Sequence, residues 1–172
     1  GIGRHVSILL AEEGASIIVN DADKPVDGIE CSHKLASQVV EEITSNGGQA
    51  IVDFADLSLM KGGETAVRTA LDNFGKLDIL VNNMVSDKPK RLHSGIENLQ
   101  PQDFDKAVMN VVKSTFTVTR HAAPYFRQQR SGRIVNITRE VDPDHPEEAA
   151  ASEAVVGFTR TIARDLGKYG VT

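Results

Sequence analysis

The chain has 172 residues, 40% apolar and 25% charged, a composition ordinary for one water-soluble globular domain with its own core. A formal net charge of −5 argues against a general nucleic-acid or anionic-membrane surface, and no apolar run approaches the roughly 20 residues of a membrane span. Cys31 is the lone cysteine, which excludes an intrachain disulfide and a cysteine-based metal site and suits a reducing cytoplasm.

In chain order, "GIGRHVSILLAEEG" carries apolar residues at Val6, Leu9 and Leu10 and ends on glycine, which predicts a helix. "ASIIVND" is a short β-branched run, the mark of a buried strand. "SHKLASQVVEEITSNGG" puts Leu35, Val39 and Ile43 on one helical stripe and stops at Gly47. "QAIVDFADL" predicts a second strand, "TAVRTALDNFG" a helix that buries Ala66, Val67, Ala70, Leu71 and Phe74, and "KLDILVNN" a third strand. A polar loop from Ser86 to Gln100 leads to a long helix starting near Pro101, a residue suited to a first helical position. "GRIVNIT" is a fourth strand and "EEAAASEAVVGFTRTIARDLGKYG" a last long helix. Val171 and Thr172 read as the start of another strand.

Apolar strands alternating with amphipathic helices require right-handed crossovers and a parallel sheet covered on both faces. The expected fold is therefore α/β, a doubly wound parallel sheet of the Rossmann type forming one domain over 1–172. Ligands in such sheets sit at the carboxyl ends of the strands. A glycine-rich turn of this kind normally follows a strand, yet the sequence opens on the glycines. The sheet's central strand is thus expected upstream and further strands downstream, so the residues read as a piece of a longer chain truncated at both ends. Without that strand its two neighbours lose a ladder partner in mid-core.

Gly1 and Gly3 open a helix, and glycines at a helix amino end let backbone N–H groups approach a pyrophosphate. Asp21 closes the next strand, about 20 residues on, where a carboxylate accepts hydrogen bonds from the adenosine ribose. It would repel a 2′-phosphate, so Asp21 favours NAD over NADP. The plainer alternative is that the glycines pack helix on strand and Asp21 merely ends one.

The motifs "GIGR", "IIVND", "ADL", "LDILVNN", "GRIVNIT" and "VVGFTRTIARDLGKYGVT" occur in the order and near the spacings of the short-chain dehydrogenase/reductase family, which the chain resembles over nearly its whole length. The segment "VNDADKPVDGIE" is also similar to the branch of that family that handles 3-hydroxyacyl-CoA thioesters. The resemblance implies that Asp56 and Leu57 contact the adenine. It implies that Asn82 and Asn83 are the first half of an Asn-Asn-Ala-Gly motif that steadies the central strand beside the cofactor. Met84 and Val85 replace the small residues of its second half and are expected to crowd that space, at about 1–3 kcal/mol, although a flexible methionine can swing aside.

The family's catalytic group is an asparagine, a serine, and a tyrosine followed four residues later by a lysine. The same alignment puts Val111 at the asparagine position, Arg139 at the serine position, Glu148 at the tyrosine position and Ser152 at the lysine position. Asn110 lies one residue from the first, a rotation of about 100° on a helix, and Thr138 faces away from the second on a strand. Neither remaining tyrosine helps, since Tyr125 is followed four residues later by Gln129 and Tyr169 lies three residues from the end of the sequence. No catalytic residue of the family's kind is therefore assigned, and no metal site. A phenol titrates at about pH 10, and lowering that by about three pH units represents roughly 4 kcal/mol of electrostatic arrangement. Losing the acid–base group forfeits about 10²–10⁴ in rate. His145 and Glu148 are titratable residues in the right stretch, but "VDPDHPEE" reads as a solvated acidic loop.

Three functions follow from these readings. The favoured one is a degenerate dinucleotide-binding member of the family that assembles with itself or a relative through its two long helices, where Val108, Val111, Val112, Phe116 and Val118 exceed one core-facing stripe. The alternative is an active NAD-dependent oxidoreductase on a hydroxyl or carbonyl substrate, such as a 3-hydroxyacyl-CoA, with His145 or Glu148 as a non-standard acid–base group. The third is a module that senses NAD without turning it over.

Overall fold

The structure, a computed structural model, describes residues 1–22, 34–84, 95–139 and 144–172. Cys31, Val85 and most of the "VNDADKPVDGIE" insert lie outside the described residues. The elements run α1 (Ile2–Glu12), β1 (Ser16–Asn20), α2 (Lys34–Ser45), β2 (Gln49–Asp53), α3 (Met60–Phe74), β3 (Ile79–Asn82), a 3₁₀ turn (Ile96–Asn98), α4 (Pro101–Ala107), a π turn (Val108–Lys113), α5 (Ser114–Gln129), β4 (Arg133–Asn136) and α6 (Pro146–Gly167). The fold is α/β with parallel strands, as the alternating pattern predicted.

Two parallel ladders form. β1 pairs with β2 from Ser16↔Gln49 to Asn20↔Asp53, and β3 pairs with β4 from Ile79↔Arg133 to Asn82↔Asn136. Among the described residues the two ladders are not hydrogen-bonded to each other. Beside β4, Gly132 bridges Val171 in parallel, and Ile134 donates its N–H to the Thr172 carbonyl at 2.8 Å, so the last two residues do begin to pair as a strand.

Each ladder has its own apolar packing. Ile17, Val39 and Ile43 are buried together under Ile8, Leu10 and Ala11 of α1, covering the β1–β2 pair. Val67, Val118, Ala122, Phe126, Leu166 and Val171 form a second cluster from α3, α5 and α6, with Leu80 and Ile134 packed against it from β3 and β4. Phe126 is fully buried, and burial of a side chain this size contributes about 1.5–3 kcal/mol.

Several elements depart from the sequence expectation. Leu35 and Leu9 are 70% and 60% exposed, so the inward stripes are the buried Ala36, Val39 and Ile43 on α2 and the half-buried Ile8, Leu10 and Ala11 on α1. The "FADL" half of the predicted second strand is a turn: Asp56 Oδ1 accepts hydrogen bonds from the Ser58 N–H (2.9 Å) and hydroxyl (2.6 Å), which bends the chain into α3 before the predicted start of that helix. The long helix does begin at Pro101 but changes to a π turn at Val108. The stretch read as a solvated loop is buried at His145, Glu147 and Glu148, because it forms the first turn of α6 against the body of the domain.

α3 meets α5 and the turn before it through two glycines. A Cβ on Gly62 would lie 1.8 Å from the Asp56 carbonyl oxygen, and one on Gly63 would lie 2.7 Å from the Thr117 carbonyl carbon. Both neighbours are backbone and cannot rotate away, whereas a Cβ on Gly157, in the middle of α6, meets nothing within 4 Å. Chemical denaturation should therefore show Gly63→Ala destabilised by about 1–3 kcal/mol through overpacking, while Gly157→Ala gains about 0.5–1 kcal/mol from helix propensity.

Candidate cofactor and catalytic site

The carboxyl ends of the strands gather the residues singled out in the sequence. α1 begins beside the end of β3: a Cβ on Gly3 would lie 3.0 Å from Asn83 Nδ2, a close approach that a larger residue would meet only by displacing that side chain. Asp21, exposed, follows β1, with its N–H on the Asp53 carbonyl at 3.0 Å. Gly3 and Asn83 are thus brought together. A Cβ on Gly1 would meet nothing within 4 Å, and Gly1 serves as the N-cap of α1. Leu57 is buried, and its carbonyl accepts the Thr117 hydroxyl. Asp56, half-buried, is occupied in its own turn.

Asn82 is the structural centre of the site. It is 2% exposed and its Nδ2 donates to Asn136 Oδ1 at 2.7 Å and Thr119 Oγ1 at 3.4 Å. Asn136 Nδ2 donates in turn to Thr159 Oγ1 at 2.7 Å, and that hydroxyl donates to the Val155 carbonyl at 2.7 Å. One chain of hydrogen bonds therefore ties β3, β4, α5 and α6. Thr119 and Thr159 escaped the sequence reading; the available signal was a hydroxyl on helical faces that are otherwise apolar. Asn82 Oδ1 is buried without a hydrogen-bond partner. With the glycine cradle at Gly3, that orphaned acceptor fits an amide- or hydroxyl-bearing ligand such as a dinucleotide.

The catalytic positions are filled differently. Val111 is buried with Ala107, Ala151 and Val155, and Met84 and Val112 pack on that cluster. Asn110 is half-buried and outside it. Met84, expected to crowd the cofactor space, packs against the cluster that α4, the π turn and α6 form. On α6, Glu148 and Ser152 are each 8% exposed, one turn apart. Glu148 Oε2 receives Arg139 Nη1 at 3.5 Å, and His145 Nδ1 lies 3.3 Å from Glu147 Oε1. Thr138 and Arg139 are exposed. Among the described residues no cluster of histidine, cysteine or carboxylate side chains could hold a metal ion, and no helix is long and apolar enough to cross a membrane.

The family model described as short chain dehydrogenase matches residues 1–172. The peroxisomal hydratase-dehydrogenase-epimerase of Neurospora crassa is 31% identical over 177 residues, covering 99% of this chain and 19% of that protein. A crystal structure of a short chain dehydrogenase from Mycobacterium avium superposes with a TM-score of 0.87 at 33% identity, covering 100% of this chain and 64% of that one. A 7α-hydroxysteroid dehydrogenase complexed with NADH and 7-oxo-glycochenodeoxycholic acid gives 0.84 at 28% identity, covering 99% of this chain and 63% of that one. The chain therefore spans less than two thirds of the length of each of these proteins.

Truncating Asn82 to alanine removes the donor to the amide oxygen of the half-buried Asn136. Asn82→Ala is expected to lose about 1–3 kcal/mol of stability, read by chemical denaturation. The exposed Thr138→Ala should stay within about 0.5 kcal/mol of the parent.

Proposed function

The chain belongs to the short-chain dehydrogenase family, and on that premise we propose that it is a NAD-binding domain of oxidoreductase lineage whose proton relay is lost, acting as a cofactor-binding or assembly subunit. The observation that carries this reading is the filling of the catalytic positions: Val111, where the resemblance calls for an asparagine, is buried in an apolar cluster with Ala107, Ala151 and Val155, and Glu148 and Ser152 stand where it calls for the tyrosine and the lysine. Neither of those two positions holds a phenol or an ammonium to hand over a proton, and hydride transfer between an alcohol and a carbonyl needs one. Gly1, Gly3, Asp21, Asp56, Leu57, Asn82 and Asn83 are the proposed cofactor residues. The glycine cradle and the orphaned Asn82 oxygen support that assignment; a dinucleotide bound there would supply a hydride donor or acceptor.

Asp21 supports NAD over NADP, since a carboxylate beside the ribose repels a 2′-phosphate. Arg4, the first cation after the glycines, supports the same choice because it is paired with Glu42 at 2.6 Å. Assembly through the long helices is supported by Phe116, 40% exposed on α5 and edge-on to Phe158 of α6 at 6.3 Å. The protein is proposed to be cytoplasmic, in keeping with its single cysteine.

The burial of Glu148 and His145 favours a second reading, an NAD-dependent oxidoreductase on a hydroxyl or carbonyl substrate such as a 3-hydroxyacyl-CoA with one of them as the acid–base group. NADH turnover across ketones and 3-oxoacyl thioesters separates the two: the first reading expects none, and turnover abolished by Glu148→Gln or His145→Ala establishes the second.

Thermal denaturation tests the cofactor assignment. NADH should raise the melting temperature and NADPH should not, in line with mass-action stabilisation of about 2.7 kcal/mol at a hundredfold excess over Kd. Asp21→Ala should narrow the difference between the two. No shift with either dinucleotide removes the assignment.

A further inference from the structure

Asp53, the last residue of β2, is buried at 7% exposure. A carboxylate taken out of water is costly unless donors answer its oxygens. Here the close donor is an amide on the neighbouring strand: Asn20 Nδ2 lies 2.5 Å from Asp53 Oδ2, while the Thr69 hydroxyl of α3 stands 3.5 Å from Oδ1. Asn20 and Asp53 are the last register pair of the β1–β2 ladder.

The pair fastens the chain just where β1 ends. Asn20 Nδ2 also donates to the Ala55 carbonyl at 3.0 Å, and one residue on, the Asp21 N–H donates to the Asp53 carbonyl at 3.0 Å. Three hydrogen bonds thus tie residues 20 and 21 to the segment 53–55, two from the Asn20 side chain and one from the Asp21 backbone.

That fastening sets a face. Ile17 and Val19 belong to the cluster packed under α1 and α2, whereas the Asn20–Asp53 pair meets Thr69 of α3. Successive side chains of a strand alternate between faces. With Asn20 pinned to the α3 side and the backbone still paired at Asp21, alternation sends the Asp21 carboxylate to the side of α1, the helix that Gly1 and Gly3 open. Asp21 is exposed, so burial does not fix its direction. A slip of one residue would carry the carboxylate to the opposite face.

We propose that Asp53, acting through Asn20, is the positioning residue that aims Asp21 at the adenosine ribose and thereby sets the discrimination between NAD and NADP, a role that rests on the reading of the chain as a dinucleotide-binding domain. Asp53 itself touches no ligand. Discrimination needs a carboxylate held in one place, where it accepts from the ribose hydroxyls of one dinucleotide and repels the 2′-phosphate of the other. An Asp21 free to turn does both less well.

Isothermal titration of the 172-residue chain with NADH and with NADPH tests this, with thermal denaturation confirming that each variant is folded. The parent should bind NADH at least about tenfold more tightly than NADPH, the scale of a hydrogen bond to a charged group. Asp53→Ala should cut that ratio to about threefold or less, NADH weakening while NADPH tightens; a plain loss of stability would weaken both alike. Asn20→Ala, at a half-buried position, should do the same and decides the matter alone where Asp53→Ala does not fold. Asp53→Asn, whose Oδ1 still accepts from Asn20, should keep the parent's ratio. In an Asp21→Ala background Asp53→Ala should leave the ratio unchanged, as required of a residue that works through Asp21. The proposal is overturned, with the cofactor reading intact, by a ratio that Asn20→Ala leaves untouched, by equal weakening of both dinucleotides, by Asp53→Asn matching Asp53→Ala, or by a further change of ratio in the Asp21→Ala background. A parent chain that binds neither dinucleotide removes both.

Discussion

A primary amide buried at the end of β3 must be answered by its neighbours, and the arrangement of those neighbours organises the domain. Asn82 cannot be hydrated at 2% exposure, so its Nδ2 holds Asn136 and Thr119, and Asn136 holds Thr159. In a low-dielectric interior such a chain strengthens each of its members and penalises any displacement that opens it. The register of β3 on β4, the rotation of α5 and the seat of α6 are all fixed by it. Just past β4, Ile137 donates its N–H to the Asn82 carbonyl at 2.8 Å and extends the ladder to the same point. The carboxyl ends of two strands are thereby tied to each other and to the helices that cover them.

The substitutions around this frame are consistent with one another. Taken singly, Met84 reads as an obstruction and Val111 as a lost polar group. Together they are one hydrophobic contact, because the extra volume on the β3 side meets α4 and α6 through Ala107, Ala151 and Val155. Small residues on α6 make the room, and a flexible thioether fills irregular space well. The polar remainder, Arg139 with Glu148 and His145 with Glu147, is gathered at the first turn of α6, so the acidic and apolar changes occupy adjacent parts of one surface.

Much of the fold was legible because burial imposes periods. The β-branched runs at 17–19 and 79–81 and the apolar stripe of α3 announce themselves, and Gly75 at φ +75° ends α3 with its N–H on the Leu71 carbonyl. Exposure of individual apolar residues was not legible: Leu9 and Leu35 fit a helical stripe by spacing, but Ile8 and Leu10 pack inward beside the one and Ala36 is buried beside the other. The site divided the same way. Gly3 and Asn83 were marked by motif and stand together, whereas the partners of Asn82 are single threonines distant in sequence, whose pairing only the fold can reveal. The burial of His145, Glu147 and Glu148 was hidden because a run of acids and prolines has the composition of a loop, and tertiary packing overrode it.

The π turn at Val108–Lys113 has a further consequence. The Ser114 hydroxyl reaches back five residues to the Met109 carbonyl at 3.3 Å, and the Thr115 hydroxyl takes the Val111 carbonyl at 2.8 Å, so the wide turn is stitched by side chains. A π turn amounts to one residue inserted into an α-helix, which offsets the faces before and after it by about 100°. Ala107 and Val111 thereby serve one apolar cluster while Val118, Ala122 and Phe126 serve another. Excising a single residue here would leave a regular helix of nearly the same length with its two halves out of phase, so this segment tolerates changes of residue type far better than changes of length.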